Sequence, residues 1–418
     1  MNEIEVVSFG CRLNTYESEV IRAAAFQAGL EDAVIFNTCG VTAEALRQAR
    51  QAIRRARRNR PGARLVVTGC AAQLEPRLFA AMGEVDCVLG NGEKLKPASY
   101  AGLAREAAPR ISVAPAAELK LAPQPPVTGF AGHSRAFVGI QNGCDHRCTF
   151  CIIPFARGPS RSVAPAAIIE ELRGLLEQGY REAVLTGVDL TAYGADVPGS
   201  PKLGGLVRHI LKSLPELSRL RLSSIDSIEA DADLFRAFAE EERLMPHAHL
   251  SLQSGDDIIL KRMKRRHLSA DAVVFCSRLR QLRPDVVFGA DVIAGFPTES
   301  DAMFQGSLSL VDDCGLTFLH VFPFSARPGT PAARMRQING AVIAERAASL
   351  REKGVQALQR HLVNAKGRHI QVLMENEGRG RAGDFTPVKI DGAHGGAKVL
   401  DAVVSGHDGS ALIARMLA

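Results

Sequence analysis

Gly143-Cys144-Asp145-His146-Arg147-Cys148-Thr149-Phe150-Cys151 sets three cysteines at spacing C-x3-C-x2-C, close enough for one loop to aim all three thiolates at one centre. A tetrahedral zinc site asks for a fourth ligand, whereas a four-iron cluster held by three cysteines keeps one iron open to a small chelating molecule. The residue types alone leave both chemistries standing, along with a bland third reading of scattered thiols. The chain has only nine cysteines in 418 residues, so the spacing does not come from a cysteine-rich background.

The loop follows an apolar run at residues 136–141, the first of six strand candidates. The others are 182–186, 219–223, 247–252, 286–293 and 317–322, with helical patterns at 165–178, 203–214, 231–243, 270–282 and 301–314 between them. Six β/α units fall short of the eight that close a full barrel, which predicts a partial, open-sided barrel. The cysteine loop then sits at the carboxyl end of the first strand, where β/α barrels keep their sites. Thr186-Gly187-Val188, Ser223-Ser224 and Ala294-Gly295-Phe296-Pro297 end other strands with small or hydroxyl residues. Each is either a place where a ligand can approach the backbone or a plain turn.

Upstream, apolar runs at 4–9, 33–36 and 64–67 alternate with helical patterns at 16–28 and 43–59, as in a parallel α/β sheet. Cys11, Cys39 and Cys70 each lie just beyond the carboxyl end of one of these strands. In an open parallel sheet those ends line up along one edge, so three distant positions converge into a second thiolate set, a shared metal site or buried structural cysteines. Cys87, within the strand run 85–89, and Cys276 and Cys314, in helical patterns, read as small buried hydrophobes. Residues 101–132 turn to Ala and Pro and mark a boundary, and a helix is expected over 340–364. Beyond it, short runs at 369–374, 385–390, 398–405 and 411–414 alternate with the Gly-rich turns Gly378-Arg379-Gly380-Arg381 and Gly392-Ala393-His394-Gly395-Gly396, a small antiparallel β-barrel by pattern. The expected division is an α/β domain over 1–110, a barrel core over 130–362 and the small barrel over 364–418.

Fifty-one basic residues against 45 acidic ones give a net charge of +6, a mild fit to a polyanionic partner. Basic runs at 54–60 and 261–267 are solvated faces or contacts to a phosphate backbone. The odd cysteine count, the acidic N-terminus and the absence of a long apolar run predict a reducing, cytoplasmic setting and no membrane.

The C-x3-C-x-Phe-C pattern resembles the signature of the radical S-adenosylmethionine (SAM) superfamily, and the whole chain resembles the methylthiotransferases within it. The resemblance is carried by Gly10-Cys11-Arg12-Leu13-Asn14-Thr15-Tyr16-Glu17, Asn37-Thr38-Cys39-Gly40-Val41-Thr42, Thr68-Gly69-Cys70, the stretch 143–158 with its Cys151-Ile152-Ile153-Pro154 tail, Leu250-Ser251-Leu252-Gln253-Ser254-Gly255 and Gly295-Phe296-Pro297-Thr298-Glu299. It implies that Cys144, Cys148 and Cys151 hold the 4Fe-4S cluster that cleaves SAM, and that Cys11, Cys39 and Cys70 hold an auxiliary 4Fe-4S cluster involved in supplying sulfur. Phe150 would pack near the adenine of SAM, with Gly187, Ser223 and Gly295 on the turns that hold its methionine and ribose. Runs 261–267 and 318–331 are most similar to the threonylcarbamoyladenosine tRNA branch. The implied activity is methylthiolation of carbon 2 of that adenosine at position 37, next to the anticodon: a 5′-deoxyadenosyl radical removes hydrogen, sulfur is inserted and a second SAM gives the methyl group. No side-chain general base is implied. The small C-terminal barrel resembles a TRAM domain and implies tRNA binding, and an electron donor such as flavodoxin or ferredoxin is expected. The rival substrates are isopentenyladenosine in tRNA and a ribosomal-protein aspartate; outside the class stands a zinc-bearing RNA-binding protein.

Overall fold

The computed structural model describes residues 4–105, 109–120, 125–130, 132–390, 392 and 399–417. The N-terminal sheet is parallel throughout, with β1 (Ile4–Ser8), β2 (Ala33–Thr38), β3 (Arg64–Gly69), β4 (Cys87–Leu89) and β5 (Ile111–Ser112) in that spatial order. All six residues of β2 are buried, because helices cover both faces of the sheet. α1 (Arg12–Gln27) packs with the helix Pro97–Ala104 on one face, while α2 (Ala43–Asn59) lies on the other. Thr42 caps α2 by accepting a hydrogen bond from the Ala45 amide at 3.1 Å. The fifth strand falls inside the Ala- and Pro-rich stretch that the sequence marks as a boundary; of that stretch, residues 106–108, 121–124 and 131 lie outside the described residues. Cys87 is buried in β4, as its strand context predicts.

The middle of the chain is a parallel, open-sided barrel in two arcs. Strands Ala136–Gly139, Glu182–Thr186 and Arg219–Leu222 form one arc; Ser224–Ile225, His247–Gln253, Val287–Ala294 and Leu316–Pro323 form the other. The third β/α unit thus breaks at Ser223 and contributes to both arcs, which a parallel bridge between Leu220 and Leu244 joins. After the helix Gly340–Asn364 the chain closes a five-stranded barrel. Arg379–Ala382 is one of its strands, although its glycines read as a turn in sequence. One pairing, Pro387–Ile390 with Leu412–Met416, is parallel among otherwise antiparallel neighbours. Of the Gly392–Gly396 turn only Gly392 is among the described residues. Among the described residues no helix is long and apolar enough to cross a membrane.

The barrel interior is polar and meets the C-terminal domain there. Glu182 is fully buried; Arg135 and Arg221 donate to its Oε1 at 2.7 and 2.8 Å, and Arg219 Nε lies 2.8 Å from Oε2. Arg135 also reaches Glu375 at 2.5 Å, and Arg221 donates to the Gly383 and Ala382 carbonyls at 2.7 and 2.9 Å, so the same arginines tie the two domains. Burial alone would raise the Glu182 carboxyl, but Arg221, Arg219 and Arg135 hold it down to about 2. Its stabilising contribution is therefore complete above about pH 4.3, the ordinary glutamate value, and is lost as pH falls through about 2. Replacing Glu182 by Ala strands these arginines in the core. The expected outcome, by chemical denaturation, is a loss of about 3–5 kcal/mol.

Candidate metal and substrate site

Three short backbone turns deliver the N-terminal thiols. Cys11 is the N-cap residue of α1, Cys39 follows β2 directly, and Cys70 opens the helix Cys70–Leu74 after β3. They meet at one sheet edge: the charges of Cys70 and Cys11 act on Cys39, and that of Cys70 acts on Cys11. Gly10, at φ +95°, leaves the room this requires, since a Cβ there would stand 2.9 Å from Cys39 Sγ. Burial raises the Cys11 thiol and pushes Cys39 up to about 11, so both stay protonated until a metal displaces the proton.

The second set lies on a pinned loop. The Cys144 amide donates to Gly158 O at 3.1 Å, Gln141 Nε2 to Gly143 O at 2.8 Å, and Thr149 Oγ1 to Arg262 O at 2.8 Å. Cys144, Cys148 and Cys151 are half-buried. Burial, with Asp189 adding to it, pushes Cys144 up to about 12, and burial takes Cys151 to about 11. The charge of Cys70 acts on Cys151 as well, so the two cysteine sets, from two domains, are neighbours.

What joins them is Arg157, on the short helix Ile153–Arg157 just after the loop, and only 2% exposed. Its Nε donates to Cys70 Sγ at 3.2 Å, its two terminal nitrogens grip Glu17 at 2.7 and 2.9 Å, and Nη2 donates to Asn14 at 2.6 Å. Lys94, fully buried, donates to the same carboxylate at 2.6 Å. A second arginine serves the loop: Arg265 Nη1 donates to Cys148 Sγ at 3.8 Å and pairs with Asp226 at 2.6 Å. Each thiolate set is therefore supplied with one guanidinium, the arrangement that favours the anionic state of bound thiolates.

Donor geometry separates the two metal chemistries. Around one tetrahedral zinc, with Zn–S near 2.3 Å, sulfurs stand about 3.8 Å apart. Among the described residues, the groups whose ligand atoms lie within 4.8 Å of one another are Cys144–His146–Asp189 and His249–Asp291–His320, and neither cysteine set is one of them. The wider spacing of the cysteines suits a cluster in which each thiolate takes its own iron. In the two compact groups the donors are spent on one another: His146 Nε2 on Asp189 at 2.8 Å, and His249 Nε2 on Asp291 at 2.9 Å.

A cleft of about 200 Å³ opens between the two domains beside Cys151. Val41 and Thr42 come from the N-terminal domain, Phe150, Cys151 and Ile153 from the loop, and Gln253, Asp291 and Phe322 from the barrel strands. Phe150 stands edge-on to Phe296 with ring centroids 6.5 Å apart. Gly187, Ser223 and Gly295 are not among the described lining residues. Gly187 packs on Gln141, whose Oε1 accepts from the Val188 and Asp189 amides at 3.0 and 2.9 Å. The Gly295 amide donates to Glu299 at 3.1 Å. Ser223 Oγ is buried with no hydrogen-bond partner among the described residues, as a hydroxyl placed for a ligand would be.

Sequence reading missed Arg157, Lys94 and the role of Glu17, because nothing in a lone basic or acidic residue announces a partner far away in the chain. It took 261–267 for a surface run, yet Arg265 and His267 point inward, His267 onto the Leu252 carbonyl at 3.2 Å. The run 54–60 is largely neutralised: Arg54 pairs with Glu84, Arg57 with Asp86 and Arg60 with Asp32. Cys276 and Cys314 are buried as expected.

Burial would raise the Glu17 carboxyl, but Arg157 and Lys94 hold it down to about 2. Wild-type stability should therefore fall as pH drops from about 4.3 towards 2, and Glu17→Gln should remove that part of the pH dependence while costing about 3–5 kcal/mol at neutral pH. Denaturation curves of the two proteins across this range provide the comparison.

The description "Radical SAM superfamily" matches residues 138–311, and "Uncharacterized protein family UPF0004" matches residues 3–90. A threonylcarbamoyladenosine tRNA methylthiotransferase MtaB of Rickettsia prowazekii (strain Madrid E) is 49% identical over 387 residues, covering 93% of this chain and 91% of the relative. A tRNA-2-methylthio-N(6)-dimethylallyladenosine synthase of Cereibacter sphaeroides (strain ATCC 17029 / ATH 2.4.9) is 33% identical over 90% of this chain and 87% of its own. Among solved structures, the radical S-adenosylmethionine methyltransferase TsrM from Kitasatospora setae, with cobalamin and a 4Fe-4S cluster bound, superposes with a TM-score of 0.57 at 15% identity, covering 79% of this chain and 77% of that one. That likeness is one of fold.

Proposed function

The chain belongs to the radical SAM tRNA methylthiotransferases, and we propose that within this family it methylthiolates carbon 2 of N6-threonylcarbamoyladenosine at position 37 of tRNA, with two 4Fe-4S clusters and SAM. The observation that carries the reading is the proximity of two three-cysteine sets from two domains, with Arg157, on the helix just after the loop, donating to Cys70 of the N-terminal set. A lone radical-generating loop would have no use for the second set.

Cys144, Cys148 and Cys151 would hold one cluster, and Cys11, Cys39 and Cys70 the other; when bound, these groups and SAM supply the radical, the sulfur and the methyl group. The chain's own residues do the rest. Arg157 and Arg265 offset thiolate charge, each donating to one sulfur. Phe150, backed by the buried Phe296, gives SAM an apolar wall for its adenine, and the orphaned Ser223 hydroxyl offers its ribose a partner. Val41 and Thr42, next to Cys39, bring the N-terminal set to the rim where the base enters. The closed C-terminal barrel supplies a tRNA-binding surface, and a flavodoxin- or ferredoxin-like donor in the cytoplasm supplies electrons.

Mass spectrometry of tRNA nucleosides from a deletion strain tests the substrate: 2-methylthio-N6-threonylcarbamoyladenosine should vanish and return with the gene. An unchanged level overturns the assignment, and loss of the isopentenyl product instead selects the rival branch. Anaerobic reconstitution should give about eight irons per chain, where zinc without the brown chromophore would contradict both clusters. Alanine at Cys11, Cys39 or Cys70 should abolish methylthiolation while SAM cleavage persists.

A further inference from the structure

Beneath the cleft lies a group of side chains that the cluster chemistry does not use. Its wall is apolar at Phe150, Ile153, Ile293, Phe322 and Phe324, and Asp291 is the one carboxylate among the described lining residues. Asp291 is not a free acid. His249 Nε2 stands 2.9 Å and His320 Nδ1 3.3 Å from the same oxygen, Oδ1. The strand register makes this possible: Gly289 lies beside His249 and Asp291 beside His320, and a Cβ at Gly289 would stand 2.6 Å from His249 Nδ1. Only glycine lets that ring lean across the neighbouring strand. The His320 side chain is 58% exposed, with Nδ1 fixed on Asp291 and Nε2 left free.

Arg12 approaches this group from the N-terminal domain: it lies over the Phe385 ring, His247 stacks on the same ring, and His247 neighbours His249 at 6.3 Å between ring centroids. It stands in a crowd of its own sign. Arg12, Arg135, Arg221 and Arg381 all lie over the Phe385 ring, at 5.2, 5.5, 5.1 and 4.6 Å. Arg135, Arg219 and Arg221 share Glu182, and Arg135 and Arg381 share Glu375. Arg12 makes no ion pair or side-chain hydrogen bond among the described residues. Gathered with three other arginines on one ring and without a carboxylate of its own, Arg12 is placed to take an anion.

We propose that Arg12, together with His320 oriented by Asp291, binds the carboxylate and hydroxyl of the threonyl group on the substrate adenosine and so selects this base over one bearing an apolar group. The inference rests on the substrate reading above. A threonylcarbamoyl arm brings an anion and a hydroxyl to a site holding an unpaired guanidinium and a free imidazole nitrogen; an isopentenyl arm brings neither. A site that bonds a polar group favours the substrate bearing it over an analogue that offers no partner to Arg12 or His320.

Binding to the reconstituted full chain decides the matter, with anticodon stem-loop RNAs identical except for threonylcarbamoyladenosine, isopentenyladenosine or adenosine at position 37. Wild type should prefer the threonylcarbamoyl RNA. Arg12→Met should reduce that preference about tenfold to a hundredfold, the worth of a charge-assisted hydrogen bond, and His320→Leu should reduce it too. Iron content checks that each variant has assembled; should Arg12→Met fail to assemble, His320→Leu, on a separate element, decides alone. Wild-type preference retained in the assembled variants overturns the inference and leaves the substrate reading intact. No preference in wild type overturns both.

Discussion

The structure depends on one buried ion network, Arg157 and Lys94 against Glu17. All three are 2% exposed or less and come from three elements: the helix after the cysteine loop, the segment after β4 and α1. Two cations share one carboxylate, so one positive charge remains inside the protein, and burying an uncompensated charge costs several kcal/mol. The remainder has a visible partner, because Arg157 Nε donates to Cys70 Sγ. A site that gathers anionic thiolates offsets the surplus, and without them the network would be a liability. The same residues that hold the two domains together thus set the charge of the metal site they flank.

A polar barrel interior extends this logic downward. Glu182 and its arginines, His247 stacked on Phe385 with centroids 5.2 Å apart, and the Asp291 imidazoles fill a space that apolar side chains usually occupy in closed barrels. Burial and the nearby Arg221 depress His247 well below the ordinary histidine range, so it serves there as a neutral ring. An open-sided barrel can keep such an interior because α1 and the C-terminal barrel cap it with Arg12 and with Phe385, whose ring face takes the guanidinium groups of Arg12 and Arg221. The cleft then has an apolar wall and, at Asp291, a polar floor.

Much of this was legible in the sequence where local chemistry and periodicity agree. The helix over 43–59 and the strand over 182–186 have the bounds their patterns gave, and the strand-end positions of Cys11, Cys39 and Cys70 followed from topology alone. Two kinds of feature were not legible. Arg379–Ala382 pairs as a strand because its neighbours on both sides supply the ladder, overriding glycines that favour a turn. Arg157 and Glu17 stand 140 residues apart, and a buried pair at that separation leaves no periodic trace.

The central claim is that two thiolate-bound clusters face one cleft across a domain boundary, held there by Arg157. Electron paramagnetic resonance of the fully reduced, reconstituted protein addresses it directly, through the magnetic interaction between the two centres. The account predicts split or relaxation-broadened signals in the wild type that revert to those of a single isolated cluster when Cys11, Cys39 and Cys70 are all replaced by alanine. Two sharp, additive, non-interacting signals in the wild type would contradict it.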